Sequence, residues 1–183
     1  MKAIRNLLLF IGFGLLLISL FAWYSGFFTG VTIEVRELGP IYAVYEDHVG
    51  EYSETGPIKE KLFGMLWDDG VDNYKDFGIY YDDPGKTRTE EMRCKVGCII
   101  EHNQVAELDQ LMDKYNLFIL DRQKVAVIEY PYVNLFSLYV GIYKSYPRLR
   151  EYAAANNYFD TPIIEILDES KDIQFILPLV ERD

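Results

Sequence analysis

Between Arg5 and Glu34 the chain carries no charged side chain. The stretch NLLLFIGFGLLLISLFAWYSGFFTGV, residues 6–31, is apolar almost throughout. A helix of about 20 such residues crosses the hydrocarbon core of a bilayer. Trp23 and Tyr24, with Phe27 and Phe28 just beyond, stand where an interfacial aromatic belt belongs. The rival reading is a secretory signal peptide, whose apolar core runs about 7–15 residues before a small-residue cleavage site. The run here is longer, and WYSGFFTG offers no Ala-x-Ala. The expectation is therefore a single-pass membrane protein. Residues 1–30 form the transmembrane anchor, residues 6–30 contact the lipid bilayer, and 31–183 form the domain it carries. Lys2 and Arg5 before the span put the N-terminus in the cytoplasm by the positive-inside rule.

The chain as a whole is globular in composition. Half of the 183 residues are hydrophobic and 15% aromatic, too many for a disordered chain. The formal net charge is -11, which repels a phosphate backbone, so no nucleic-acid partner is expected. It favours encounter with cations.

Periodicity divides the domain into short elements. Strands are expected over 31–37, 41–50, 77–83, 92–100, 117–120, 124–132, 161–167 and 173–180. Ser53 or Thr55 can cap a helix running to Trp67, with Pro57 in its first turn. A second amphipathic helix is expected over 105–116. Asn134 can cap a third, long helix, which should break near Ser145 and Tyr146 because Pro147 follows. Pro178 suggests that the last strand is at an edge or bulged late.

The order strand-helix-strand-strand occurs twice, over 41–100 and 124–179. The expected class is α+β: duplicated strand-helix-strand-strand units forming a mainly antiparallel sheet, with helices packed on it, preceded by one transmembrane helix. A cleft would lie at the seam of the two units, where ligands commonly bind.

Glu165 is the most informative single residue. It interrupts Pro-Ile-Ile-Glu-Ile-Leu, with Ile163 and Leu167 on its own face of the strand. A carboxylate buried there without a partner costs several kcal/mol. It must reach solvent, a hydrogen-bond donor or a cationic ligand. Tyrosine offers a flat apolar body with one polar tip, and several tyrosines around a carboxylate would box an amphipathic cation. Tyr80 and Tyr81 end one strand and Tyr132 another; Tyr52 and Trp67 flank the first helix. Each also fits ordinary packing, since aromatic residues fill half-buried sheet surface well.

Catalytic and metal-binding patterns are thin. His48 and His102 are the only histidines, Cys94 and Cys98 the only cysteines, and neither pair has zinc-ligand spacing. In a regular strand the two thiols would lie about 13 Å apart, too far for a disulfide. Gly12 and Gly14 fall within the anchor, so no phosphate loop is present. No cofactor, no metal and no catalytic residue is expected.

Several stretches together resemble the GyrI-like small-molecule-binding family: AVYEDHVGEYSETG (43–56), FGIYYDDPGKTRTEEMRCKVGCII (77–100), VAVIEYPY (125–132) and TPIIEILDE (161–169). In layout the chain is most similar to the membrane-anchored GyrI-like endoplasmic-reticulum autophagy receptor of animals. The resemblance implies an aromatic cleft between two similar halves, with a glutamate inside that meets amphipathic, often cationic compounds. Glu165 falls on the glutamate position, and Tyr80 and Tyr81 on the aromatic strand end. The related animal domain faces the cytosol, against the charge bias around the span, so the side of the membrane stays open. The receptor's long acidic tail has no counterpart after Asp183, so receptor function is not expected to carry over. No helix-turn-helix segment accompanies the domain. The function expected is a membrane-anchored binding module for a small amphipathic molecule, cationic or aromatic. The alternatives are a protein-interaction or adaptor domain at a membrane, with a protein partner, and a small-molecule hydrolase using Glu165.

Overall fold

The computed structural model describes residues 2–71, 75–82, 84–101, 111–168 and 172–182. The apolar segment is helix α1 (Lys2–Tyr24), with no buried residue. The domain then runs β1 (Glu34–Leu38), β2 (Ile41–Val49), α2 (Thr55–Asp68), β3 (Lys75–Tyr80), β4 (Arg93–Ile100), β5 (Asn116–Leu120), β6 (Gln123–Pro131), α3 (Leu135–Ala155), β7 (Ile164–Asp168) and β8 (Asp172–Pro178). Most of the expected helix over 105–116 lies outside the described residues.

All eight strands form one antiparallel sheet in the order β1-β6-β8-β7-β3-β4-β2-β5. The class is α+β, as expected. The two strand-helix-strand-strand runs contribute β2-β4-β3 and β6-β8-β7, and they meet where β3 pairs with β7. The lead strands cross over: β1 pairs with β6, and β5 with β2.

Strand alternation sorts the core into two faces. On the inner face, Phe77, Ile79, Ile164, Ile166 and Ile176 meet Val125 and Val127 near one end of the strand order and Ala43 and Leu120 near the other. The two ends can share a core because the sheet curls. Gly97 marks that bend: a Cβ there would stand 1.9 Å from the Val44 carbonyl oxygen, so glycine alone permits this approach of β4 and β2. On the outer face α2 buries Leu62 and Leu66 against Val44, Cys98 and Ile100. Helix α3 buries Val140, Leu149 and Ala153 against Ile128, Tyr130 and Phe175.

Four local expectations are corrected. Helix α3 continues through Pro147 without a break. The carbonyl that loses its amide partner there belongs to Tyr143, which is 79% exposed, so solvent can satisfy it. Strand β8 is interior, between β6 and β7, and Pro178 is only its last residue, where a missing ladder donor matters least. Neither Ser53 nor Thr55 caps α2; the chain enters through a short 3₁₀ turn, Tyr52–Glu54, and the Thr55 hydroxyl donates to the Tyr52 carbonyl (2.8 Å). The first strand starts at Glu34, while Val31 and Ile33 pack against the α3 core instead.

Candidate functional site

On the outer face the two helices sit apart. Helix α2 packs on β4 and β2, and α3 on β6 and β8. The central pair β3–β7 lies between them, and its outer face carries Asp76, Gly78 and Tyr80 from β3 with Glu165 and Leu167 from β7, and Ile163 just before β7. Gly78 is directly opposite Glu165. A side chain at Gly78 would strike the Tyr80 ring, whose nearest atom is 2.9 Å from the Cβ position. The absent side chain lets the Tyr80 ring lie back over the strand beside Glu165.

Glu165 is 9% exposed. Its Oε1 accepts a hydrogen bond of 2.5 Å from the Tyr146 hydroxyl, which α3 presents one residue before Pro147. Burial pushes the Glu165 carboxyl up to about 7, against the opposing pull of the Tyr146 hydroxyl and of the Lys59 charge. Ionisation of the carboxyl is thereby shifted toward neutral pH, where an ordinary glutamate is fully ionised. The neighbours respond: burial first, and then the Glu165 charge, raise both Tyr80 and Tyr146 above the usual phenol range. Lys59 from α2 donates to Asp76 of β3. With Glu165 ionised, the set Glu165, Asp76 and Lys59 has a net charge of about −1, which suits a monovalent cation.

One wall is braced from outside. The Tyr52 and Tyr80 rings meet edge to face at 4.9 Å. The Tyr52 hydroxyl lies 3.0 Å from the Asp82 carbonyl and 3.1 Å from that of Arg93, so it ties the entry of α2 to the β3–β4 turn. Asp82 completes the brace by accepting from the Arg93 backbone amide (2.8 Å) and guanidinium (3.0 Å). The aromatic end of β3 thus has a packing role as well as any role toward a ligand.

The structure brings Glu165, Tyr80 and Tyr52 into one neighbourhood. Tyr81 alternates to the opposite face of the sheet, with the Arg93 guanidinium 5.9 Å from its ring centre. Trp67 stands 62% exposed at the end of α2. Tyr132 packs against the core beneath α3. Sequence reasoning missed Tyr146, Lys59, Asp76 and Gly78. Tyr146 carried a local signal, an aromatic just ahead of a mid-helix proline, but nothing in the sequence aims it at β7. The buried Ser145 hydroxyl, next to Tyr146 in the chain, has no hydrogen-bond partner among the described residues. Among the described residues no group of three or more His, Cys, Asp or Glu side chains could hold a metal. Cys94 and Cys98 are buried and free.

Comparison with known proteins agrees with this architecture. Residues 32–175 match the profile of the GyrI-like small molecule binding domain. The chain is 29% identical over 170 residues to the Testis-expressed protein 264 homolog of Mus musculus, covering 88% of this chain and 53% of that protein. It therefore spans about half the length of that relative. Among solved structures, the EcmrR C-terminal domain superposes with a TM-score of 0.54 at 10% identity, covering 83% of this chain and 99% of that one. SAV2435 bound to tetraphenylphosphonium superposes with a TM-score of 0.52 at 11% identity, covering 81% and 93%. At such identities these structures speak for the fold alone.

Proposed function

This chain belongs to the GyrI-like small-molecule-binding domain family, and on that premise we propose that it is a membrane-anchored receptor for a small amphipathic cation held between α2 and α3. The observation that carries this reading is the buried carboxyl of Glu165 at the middle of the sheet, where β3 and β7 meet between the strands on which α2 and α3 chiefly pack. A purely structural position would be filled more cheaply by an apolar side chain, since burying a carboxylate costs several kcal/mol. A lipophilic cation would supply the missing counter-charge, and the Tyr80 and Tyr146 rings would supply flat apolar walls. Tyr52 supports Tyr80 from behind; Trp67 and Tyr132 would contribute only at the margin, and Tyr81, on the opposite face of the sheet, would not contribute. That one fold neighbour, SAV2435, has been solved with tetraphenylphosphonium makes this compound a rational first probe.

Anchoring is the second part of the reading. Helix α1 has 23 residues, is long and apolar enough to cross a membrane, and has no buried residue. The last turn of α1 and the segment after it are built into the domain, and the Phe21 ring lies 5.5 Å from the Phe136 ring. The Tyr130 hydroxyl donates to the Gly26 carbonyl (2.5 Å), and the Asn134 amide donates to the Ser25 hydroxyl (3.1 Å). These contacts support retention of the helix.

The test is titration of the full chain in lipid nanodiscs with tetraphenylphosphonium at several pH values. Saturable binding is expected. Glu165→Gln should weaken it by about 1–3 kcal/mol. Because a proton competes with the cation for the same carboxylate, affinity should fall about tenfold for each pH unit below about 7. Equal affinity for the variant and the parent, at every pH, would remove Glu165 from the site.

A further inference from the structure

Two charge-free stretches of this acidic chain, residues 6–33 and 130–143, come together in the fold. The first is α1 and the segment after it; the second is the end of β6 and the first half of α3. Their contact is specific. The Phe21 ring lies 5.5 Å from the Phe136 ring. Ser25 and Gly26, both buried, are held by Asn134 and Tyr130. Further on, Lys144 donates to the carbonyls of Phe27 and Thr29 (2.7 Å for Thr29), with its ammonium 5.6 Å from the Phe27 ring centre.

These contacts set depth. Phe21 precedes the end of α1 at Tyr24 by one helical turn, so its partner Phe136 reaches about 4.5 Å inside that end. Lys144 meets residues beyond the end. The N-terminus of α3 therefore points toward the span and its middle points away. The capping box of Asn134 and Ser137 seals that terminus without a charged group, as a helix end at a membrane boundary requires. On the outward side of the same turns, Leu135, Phe136, Tyr139 and Tyr143 are exposed by 59%, 40%, 60% and 79%. Leu135, Tyr139 and Tyr143 recur every four residues, one continuous stripe along the helix. Trp23 and Tyr24 at the end of α1, and Phe28 just beyond it, are exposed as well.

We propose that this face of α3 lies in the lipid interface beside the membrane-spanning helix, so that the domain rests against the bilayer and does not swing on a stalk. The occupant is the headgroup–acyl boundary of the bilayer. Continuity with α1 argues for it, because the stripe begins where the span ends. Its chemistry argues the same way: Leu and Phe stand deepest, and Tyr, with an apolar ring and a polar tip, comes next at headgroup level. The inference rests on the anchor reading of α1.

The experiment is spin-label accessibility on the full chain in phosphatidylcholine vesicles. Labels are placed through Leu135→Cys, Tyr139→Cys and Tyr143→Cys, through Met65→Cys on the exposed side of α2, and through Leu9→Cys within the span. Cys94 and Cys98 are buried and stay unlabelled. Collision with oxygen relative to a water-soluble nickel chelate should be several-fold higher at 135 and 139 than at 65, and should decline toward 143. If 135 and 139 match 65 while 9 reports lipid, the anchor stands and the docked face is refuted. If 9 also reports water, the anchor reading has failed and the docked face with it. Spin–spin broadening between copies, with poor access to both reagents, would mean that a second copy covers the face, and also overturns the proposal.

Discussion

Helices α2 and α3 lie on the same side of one sheet, one following β2 and the other β6, yet they are held in different ways. Helix α3 begins with a reciprocal cap between Asn134 and Ser137, is stapled to residues 25–29, and comes so close to the sheet at Gly141 that a Cβ would touch the Tyr130 ring at 3.0 Å. Helix α2 has no side-chain cap and is tied down from outside, through Tyr52 and the Asp82–Arg93 pair. Their gifts to Glu165 also differ. Helix α3 sends a direct hydrogen bond from Tyr146; α2 sends only the longer-range charge of Lys59, already paired with Asp76. Helix α3 thus acts on the carboxyl directly, and α2 modulates it from a distance.

The comparison can be broken at four points, in falling order of expected effect. Gly97→Ala should destroy the β2–β4 pairing that supports α2, since no side-chain movement relieves a clash with backbone oxygen. A loss above about 4 kcal/mol, or no folded protein, is expected by chemical denaturation. Glu165→Gln comes next. Burial holds the Glu165 pKa above its unfolded value, so the folded state keeps the proton longer. Its stabilising effect is fully present below about 4.5 and is lost as pH rises through about 7. The stability of the parent relative to the variant should therefore decline by about 3 kcal/mol between pH 4 and pH 8; a flat difference would place Glu165 in water.

Tyr146→Phe removes the donor that favours the ionised carboxyl. It should cost about 1.5–3 kcal/mol at pH 8 and clearly less at pH 5, where the carboxyl is protonated. Followed by side-chain NMR, Glu165 should titrate higher in this variant, and higher than in Lys59→Met, because Lys59 is the smaller influence. The reverse order would make α2 the controlling half. The smallest effect is at the caps. Asn134→Ala should cost about 1 kcal/mol, and Ser53→Ala less than about 0.5 kcal/mol, both read from thermal unfolding.

Much of this protein is written locally. Alternation placed Ile163 and Leu167 on the face of Glu165, and Ile164 and Ile166 on the other, because side-chain direction in a strand has a period of two. Asn134 announced α3, and the absence of charge between Arg5 and Glu34 announced α1, because capping and hydropathy depend on neighbours in the chain. Local rules failed at Pro147 and Pro178, where the cost of a lost donor depends on what surrounds it. A helix turn at an exposed residue, Tyr143, and a strand's last residue both tolerate proline.

Local sequence was enough to announce most of the described strands, α2 and α3, the apolar helix α1, and Glu165 as the exceptional carboxylate. Only the tertiary structure decided that β3 and β7 pair centrally, that Tyr146 and Lys59 reach Glu165 from different helices, and that the first half of α3 stands beside the end of α1. Those facts join residues far apart in the chain, and no periodicity or propensity encodes a distance between segments that meet only when the sheet curls.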